Sequence, residues 1–157
     1  DNFIKQHPRH PNVDYVYYMR GLVNYNIGQT LFSKYLPTDP GMRDPKALRE
    51  AFHYFSKLVE RFPNSKYSAD GRKRMLFTRN KLAEHEIHVA RFYLQRDAYV
   101  AASKRANYVI ENFQKTPAVE EALLLLVEVY NKMGMEDLAA DSQRVYELNY
   151  GDKEDKK

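Results

Sequence analysis

Apolar residues recur at spacings of three and four along most of the chain, which is the period of an amphipathic α-helix. Between residues 46 and 61, for example, Leu48, Ala51, Phe55 and Leu58 fall on one side of a helix. Valine and isoleucine follow the same spacing elsewhere, and they do not alternate with polar residues as they do in strands. The pattern therefore predicts an all-α protein.

Proline, glycine and capping residues divide this pattern into separate helices. The predicted helices are 13 to about 27, 45 to about 61, 68–95 (as one helix or two), 98 to about 113, 120–133 and 136–148. Residues 1–6 resemble the last turn of a helix, and Asp44 is a predicted cap before Pro45. We expect residues 28–45 to form an irregular insertion whose segment 31–36 folds back onto the surface. The charged residues 151–157 should form a disordered tail.

A combination of tyrosine, turn residue and alanine occurs twice, at offsets 0, 4 and 9. The two sets are Tyr93, Asp97 and Ala102, then Tyr130, Gly134 and Ala139. The two alanines are 37 residues apart, near the roughly 34-residue period of tetratricopeptide (TPR) helix pairs. Gly21 fits the small-residue position of an earlier helix of the same kind. The spacing favours repeated helix pairs, each of which needs a neighbour to bury its apolar face.

These features predict a TPR-like α-solenoid of antiparallel helix pairs with one long inter-helix loop. The predicted domain covers residues 1–150 and contains about three repeats, at 12–63, 68–115 and 117–149, with the insertion at 28–45. We interpret the 13 tyrosines mainly as packing residues of the helix pairs.

Composition narrows the function only slightly. The net charge of +4 and the pI near 9.1 permit acidic partners without requiring nucleic acid. The chain contains no cysteine, which excludes disulfides and thiol chemistry within it. It begins at Asp1 without methionine or a signal peptide, and we expect it to be a fragment or a processed chain.

Motifs for catalysis or cofactor binding are not apparent. His85 and His88 lie one helical turn apart, but no third ligand follows at a diagnostic spacing, so we predict no metal and no cofactor. The chain has neither a nucleophile elbow nor a glycine-rich phosphate loop, which argues against an enzyme.

Basic residues are the better candidates for function. Most of those on helix 68–95 should form a solvated face; they are Arg72, Lys73, Arg74, Arg79 and Lys81. Arg105 lies among alanines, which leave it accessible to a docking partner. Its guanidinium is suited to a bidentate contact with a carboxylate.

Three long blocks of the sequence carry a family resemblance. HPNVDYVYYMRGLVNY, RDPKALREAFHYFSKLVERFPNSKY and VARFYLQRDAYVAASKRANYVIENF closely resemble the BamD (YfiO/ComL) family. These are TPR lipoproteins of the outer-membrane β-barrel assembly machinery of Gram-negative bacteria. The resemblance runs from about His10 to Tyr146. It implies a C-terminal portion of such a protein, without its lipid-attachment cysteine and first repeats, at the periplasmic face of the outer membrane.

The resemblance also implies a non-enzymatic scaffold. The expected partners are the last POTRA domain of BamA and the accessory lipoproteins BamC and BamE. Unfolded outer-membrane proteins are a further candidate, and membrane contact would occur only through the missing lipid anchor. Arg105 is the expected ion-pair contact to BamA, with Lys104 and Tyr108 as weaker candidates.

Two other functions remain open at this point. A TPR module could bind extended substrate peptides in a concave, tyrosine-lined groove. A helical domain that binds metal or nucleic acid is less favoured by the residues.

Overall fold

The periodic apolar positions form helices throughout the part of the chain that the structure, a computed structural model, describes: residues 2–33 and 45–151. The helices are α1 (Asn2–Gln6), α2 (Val13–Ser33), α3 (Lys46–Arg61), α4 (Ser68–Leu94), α5 (Tyr99–Asn112), α6 (Ala118–Lys132) and α7 (Glu136–Tyr150). No strand occurs within these residues. The predicted all-α class with TPR-like helix pairs is confirmed.

The chain divides into two units, Asp1–Leu82 and Ala83–Lys157. Consecutive helices pack together within each unit: α2 on α3 in the first, and α5 on α6 and α6 on α7 in the second. The boundary between the units falls inside α4, which is a single helix of 27 residues. The sequence leaves open whether this stretch is one helix or two, and it is one.

The end of α2 differs from the prediction. The helix continues to Ser33, although Gly28 in the sequence predicts the start of an irregular insertion. Gly28 is required for a close approach between helices, because a Cβ there would lie 2.5 Å from Leu48 Cδ2. Residues 28–33 thus belong to α2 and not to an irregular insertion. The cap at Asp44, the segment 34–36 and the tail 152–157 lie outside the described residues.

The core of the first unit combines a glycine contact with aromatic packing. Gly21 lies against the ring of Phe55, where a Cβ would be 2.5 Å from Cε1, as expected for the small-residue position. Phe55 is completely buried, and Tyr17 and Tyr54 are nearly so, at 6% and 8% exposed. The interpretation of tyrosines as packing residues holds for these positions.

The core of the second unit is built largely from alanine. Five alanines from three helices are completely buried: Ala83, Ala90, Ala102, Ala106 and Ala122. They pack with larger residues such as Ile87, Val109 and Val129 in one cluster. Small side chains let helix backbones approach closely, which explains the alanine-rich sequence of α5.

The turns after α4 and α6 have the same backbone geometry, which explains the repeated offsets. Asp97 and Gly134 both adopt left-handed conformations, with φ of 56° and 70°. The residue that follows each of them donates a backbone hydrogen bond to the carbonyl of the tyrosine at offset 0. The N–H of Ala98 lies 3.0 Å from the Tyr93 oxygen, and that of Met135 lies 2.9 Å from the Tyr130 oxygen. These are Schellman C-caps. The alanines at offset 9, Ala102 and Ala139, are buried.

Candidate protein-binding site

A line of exposed residues follows one face of α5. Val100, Lys104 and Tyr108 are spaced by four, so they lie above one another on the helix. Val100 is 56% exposed and Tyr108 is 44% exposed, and Lys104 is exposed too. Arg105 lies beside this line. We call these four residues the α5 surface, and all three predicted partner-binding residues belong to it.

Arg105 has a partner inside the protein that the sequence does not reveal. Its Nη1 donates a hydrogen bond to Glu86 Oε2 on α4, at 2.9 Å. The Glu86 side chain is 4% exposed, whereas that of Arg105 is 44% exposed. Arg105 therefore also has a role inside the protein, because a buried carboxylate needs a compensating charge. A guanidinium has five N–H donors, so Arg105 can still bind a second carboxylate.

A shallow groove adjoins the α5 surface at the start of the helix. Its volume is about 490 Å³, and its walls are mostly apolar. The lining residues are Asp97, Ala98, Tyr99, Val100, Ala101, Lys104 and Met133. The Tyr99 hydroxyl donates to Asp97 Oδ1 at 2.7 Å. This hydrogen bond to a carboxylate raises the pKa of Tyr99.

Tyr108 is at the other end of the surface. Its ring packs edge-on against Phe113, with the ring centroids 5.8 Å apart. Phe113 belongs to the periphery of the alanine-rich core, so this contact orients the exposed ring. The α5 surface thus offers two cations beside an apolar groove and a positioned aromatic ring, which suits an acidic partner with an apolar anchor.

The other sequence candidates occupy different environments. His85 is 6% exposed and His88 is exposed, so the two rings do not share one solvent face. Within residues 2–33 and 45–151, no group of three or more histidine or acidic residues could hold a metal ion.

Arg74 belongs to a charged network of the first unit. It donates to Asp70 Oδ2 at 2.6 Å, and the Tyr18 hydroxyl donates to the same oxygen at 2.7 Å. The bond from Arg74, followed by that from Tyr18, lowers the pKa of Asp70. Burial and the neighbouring carboxylate raise the pKa of Tyr18. Arg74 is therefore a packing residue rather than part of a purely solvated face.

A membrane span requires a helix that is both long and apolar. Among residues 2–33 and 45–151, no helix combines the length and apolar character that crossing a bilayer requires.

The chain is all-α and consists of TPR-like helix pairs, and one helix face is cationic and partly apolar. These features are typical of a helical-repeat protein that contacts other proteins. The profile of the YfiO family, described as "Outer membrane lipoprotein", matches residues 1–145. The chain belongs to this family.

Several curated relatives carry the name "Outer membrane protein assembly factor BamD". The chain is 47% identical to the one from Neisseria meningitidis serogroup A over 150 residues, which cover 96% of this chain and 56% of the relative. It is 39% identical to that of Pasteurella multocida, with 96% and 58% covered. Identity to that of Vibrio cholerae is 33%, with 95% and 62% covered. The chain thus spans somewhat more than half the length of these relatives.

The comparisons confirm the predicted family and the predicted association with the outer membrane. The family description names a lipoprotein and the relatives are named assembly factors, so neither name describes an enzymatic activity.

Proposed function

We propose that this chain is a scaffold segment of an outer-membrane protein assembly factor and that it holds a partner subunit through the α5 surface. The names of its relatives support the general role in assembly. The observation that carries the site is the continuous exposure of Val100, Lys104 and Tyr108 along one face of α5. The family resemblance supplies the partner, which is the last POTRA domain of BamA.

The chemistry of the surface sets what the partner must present. Lys104 and Arg105 favour one or two carboxylates, and the groove beside Val100 accepts an apolar side chain. Because Glu86 holds Arg105 in place, the guanidinium loses little conformational freedom on binding. The partner therefore binds a surface that is already ordered.

Binding of the purified chain to the soluble periplasmic part of BamA, measured by biolayer interferometry, tests this function. We expect Lys104→Glu and Tyr108→Ala each to weaken binding by about tenfold, as loss of a charge pair or an aromatic anchor does. Arg72→Glu is the matched control, because Arg72 is exposed in the first unit. Native affinity for both α5 variants would remove the surface from the interface.

The resemblance assigns BamC and BamE as further partners, and the same assay applies to each of them. BamC or BamE binding that survives both α5 substitutions would place these lipoproteins on other faces of the chain. Loss of all three partners together, with unchanged far-UV circular dichroism, would mean that they share the α5 surface.

A second candidate function is the capture of an extended substrate peptide. A groove of about 540 Å³ in the second unit favours it, with Leu94, Leu124 and Leu125 in its wall and Arg91 and Glu121 at its edge. The residues that line this groove include no tyrosine, so its wall differs from the tyrosine-lined groove expected from the sequence.

Leu124 provides the test of this second function. It is 44% exposed, so Leu124→Ser should abolish binding of a labelled unfolded substrate peptide without affecting BamA. Peptide binding that is insensitive to this change would exclude the groove.

A further inference from the structure

A separate cavity lies in the first unit and shares no residue with the proposed interface. It is formed by α1, α2 and α3 and has a volume of about 300 Å³. The lining residues are Ile4, Lys5, Tyr17, His53, Tyr54, Lys57 and Arg61. We call it the basic cavity. Its residues have no part in the function proposed above.

The walls of the basic cavity carry one sign of charge. Lys5, Lys57 and Arg61 line it, and no aspartate or glutamate is among its lining residues. Glu60 approaches Lys57 Nζ only to 3.6 Å, and both side chains are largely exposed, at 63% and 44%. Such a pair contributes little and is readily exchanged for another carboxylate. The cavity therefore attracts an anion.

The floor of the basic cavity is aromatic and rigid. Tyr17 and Tyr54 are buried, with ring centroids 6.4 Å apart. Arg61 Nη1 donates to the Tyr17 hydroxyl at 2.7 Å, and the guanidinium carbon lies 5.6 Å from the centroid of the same ring. These contacts hold the arginine at the rim. A bound group would meet this arginine and the two lysines beside the buried aromatic surface.

We propose that the basic cavity binds an acidic peptide segment in which a glutamate or aspartate lies next to an apolar residue. The carboxylate would pair with Lys5 and Lys57, and the apolar neighbour would rest on Tyr17 and Tyr54. The volume supports a peptide over a free inorganic anion, because about 300 Å³ is ten times the space of one water molecule and reaches the range of organic ligands. The aromatic floor would be unused by phosphate alone.

Fluorescence anisotropy of the full chain with a labelled hexapeptide of alternating glutamate and leucine tests this assignment. A matched probe has glutamine at every glutamate position. We expect saturable binding of the acidic peptide only. The double variant Lys5→Gln/Lys57→Gln should bind it about tenfold more weakly, since two exposed charge pairs are lost.

Controls separate the basic cavity from general surface charge. Arg72→Gln/Lys73→Gln removes the same two charges from exposed positions on α4 and should bind the acidic peptide like the native chain. Equal weakening by both double variants overturns the proposal, as does equal affinity for the glutamine peptide or the absence of saturable binding. Inorganic phosphate at the ionic strength of a chloride control, and vesicles with anionic headgroups, form two further arms. Displacement of the peptide by phosphate alone, or binding only to vesicles, assigns the cavity to phosphate groups and overturns the peptide assignment.

Discussion

Arg105 on α5 and Glu86 on α4 form an ion pair in which only the arginine reaches solvent, with 44% of its side chain exposed against 4% for the glutamate. The arginine therefore has two roles. It compensates a buried carboxylate in the second unit, and it presents the rest of its guanidinium on the α5 surface. A substitution at this position will change stability as well as binding.

Removing Arg105 should destabilise the protein measurably. Arg105→Ala leaves Glu86 without the hydrogen bond from its cationic partner, and we expect the free energy of unfolding to fall by about 1–2 kcal/mol, reduced by the exposure of the arginine. Urea denaturation followed by far-UV circular dichroism measures the change. Lys104→Ala on the same helix should cost less than about 0.5 kcal/mol. Equal costs for the two variants would show that the pair contributes nothing.

The same pair determines how the interface is tested. Arg105→Glu would place a second carboxylate against Glu86, so a loss of binding would report misfolding as readily as a lost contact. Arg105→Lys keeps the charge but removes the planar fork, and it should weaken BamA binding by about tenfold while nearly preserving the midpoint of unfolding. Unchanged affinity for Arg105→Lys would mean that the partner requires only a positive charge at this position and not the guanidinium geometry.

Gly21→Ala should destabilise the first unit even though alanine is the better helix former. The gain in helix propensity is about 1 kcal/mol. The new Cβ would lie 2.5 Å from Cε1 and 2.7 Å from Cδ1 of Phe55, whose ring is completely buried. Overpacking of this kind costs about 1–3 kcal/mol. Set against the gain in propensity, it should leave a net loss of up to about 2 kcal/mol in thermal or urea unfolding. A rise in stability would mean that the ring relaxes at little cost.

Gly134→Ala isolates the backbone contribution of a Schellman turn. Gly134 has φ of 70°, and no atom lies within 4 Å of the position that a Cβ would take, so the whole cost is conformational. We expect a loss of about 1–2 kcal/mol. Gly151→Ala is the control, because Gly151 has helical φ of −57° and its nearest contact to a Cβ is an ordinary 3.9 Å. It should be neutral, and similar losses at both glycines would contradict the explanation.

The network around Asp70 predicts a change in stability at acid pH. The bonds from Arg74 and Tyr18 lower the pKa of Asp70 in the folded state. Asp70 therefore contributes its full stabilisation above about pH 4, which is the pKa of an aspartate in the unfolded chain. This contribution is lost as the pH falls through the lower pKa that Asp70 has in the folded protein. Because the side chain is 44% exposed, the contribution should be about 0.5–1 kcal/mol. The stability difference between the native chain and Asp70→Asn should be constant from pH 7 to about pH 5 and shrink below about pH 4.

Local signals in the sequence were sufficient for the helices and for the recurring turns. The offsets of Tyr93, Asp97 and Ala102 correspond to a carbonyl acceptor, a left-handed residue and a buried alanine, each determined by residues close in the chain. The predicted end of α2 was wrong for a related reason. Gly28 is a breaker by local preference, but its contact with Leu48 comes from another helix.

The charge pairs could not be predicted in the same way. Glu86 and Arg105 are 19 residues apart, and no periodic rule connects positions on two different helices. The basic cavity has the same origin, because it combines residues from α1, α2 and α3. The sequence singles out Arg105 because it lies among alanines. The structure adds a second reason for an arginine at this position, which is the buried carboxylate of Glu86.

The aromatic core of the first unit makes the two units spectroscopically distinguishable. The chain has no tryptophan, so its near-UV circular dichroism comes mainly from tyrosine in asymmetric packing. In the first unit, Tyr18 stacks on Tyr67 with centroids 5.0 Å apart, and Tyr17 packs on Tyr54 and Phe62. The centre of the second unit is aliphatic, and its tyrosines, such as Tyr93 and Tyr130, pack at the periphery of that cluster. Near-UV signals should therefore follow chiefly the melting of the first unit, while far-UV signals follow the helices of both. Coincident curves from the two probes would identify a single cooperative transition, and a near-UV change at lower denaturant would show that the aromatic unit opens first.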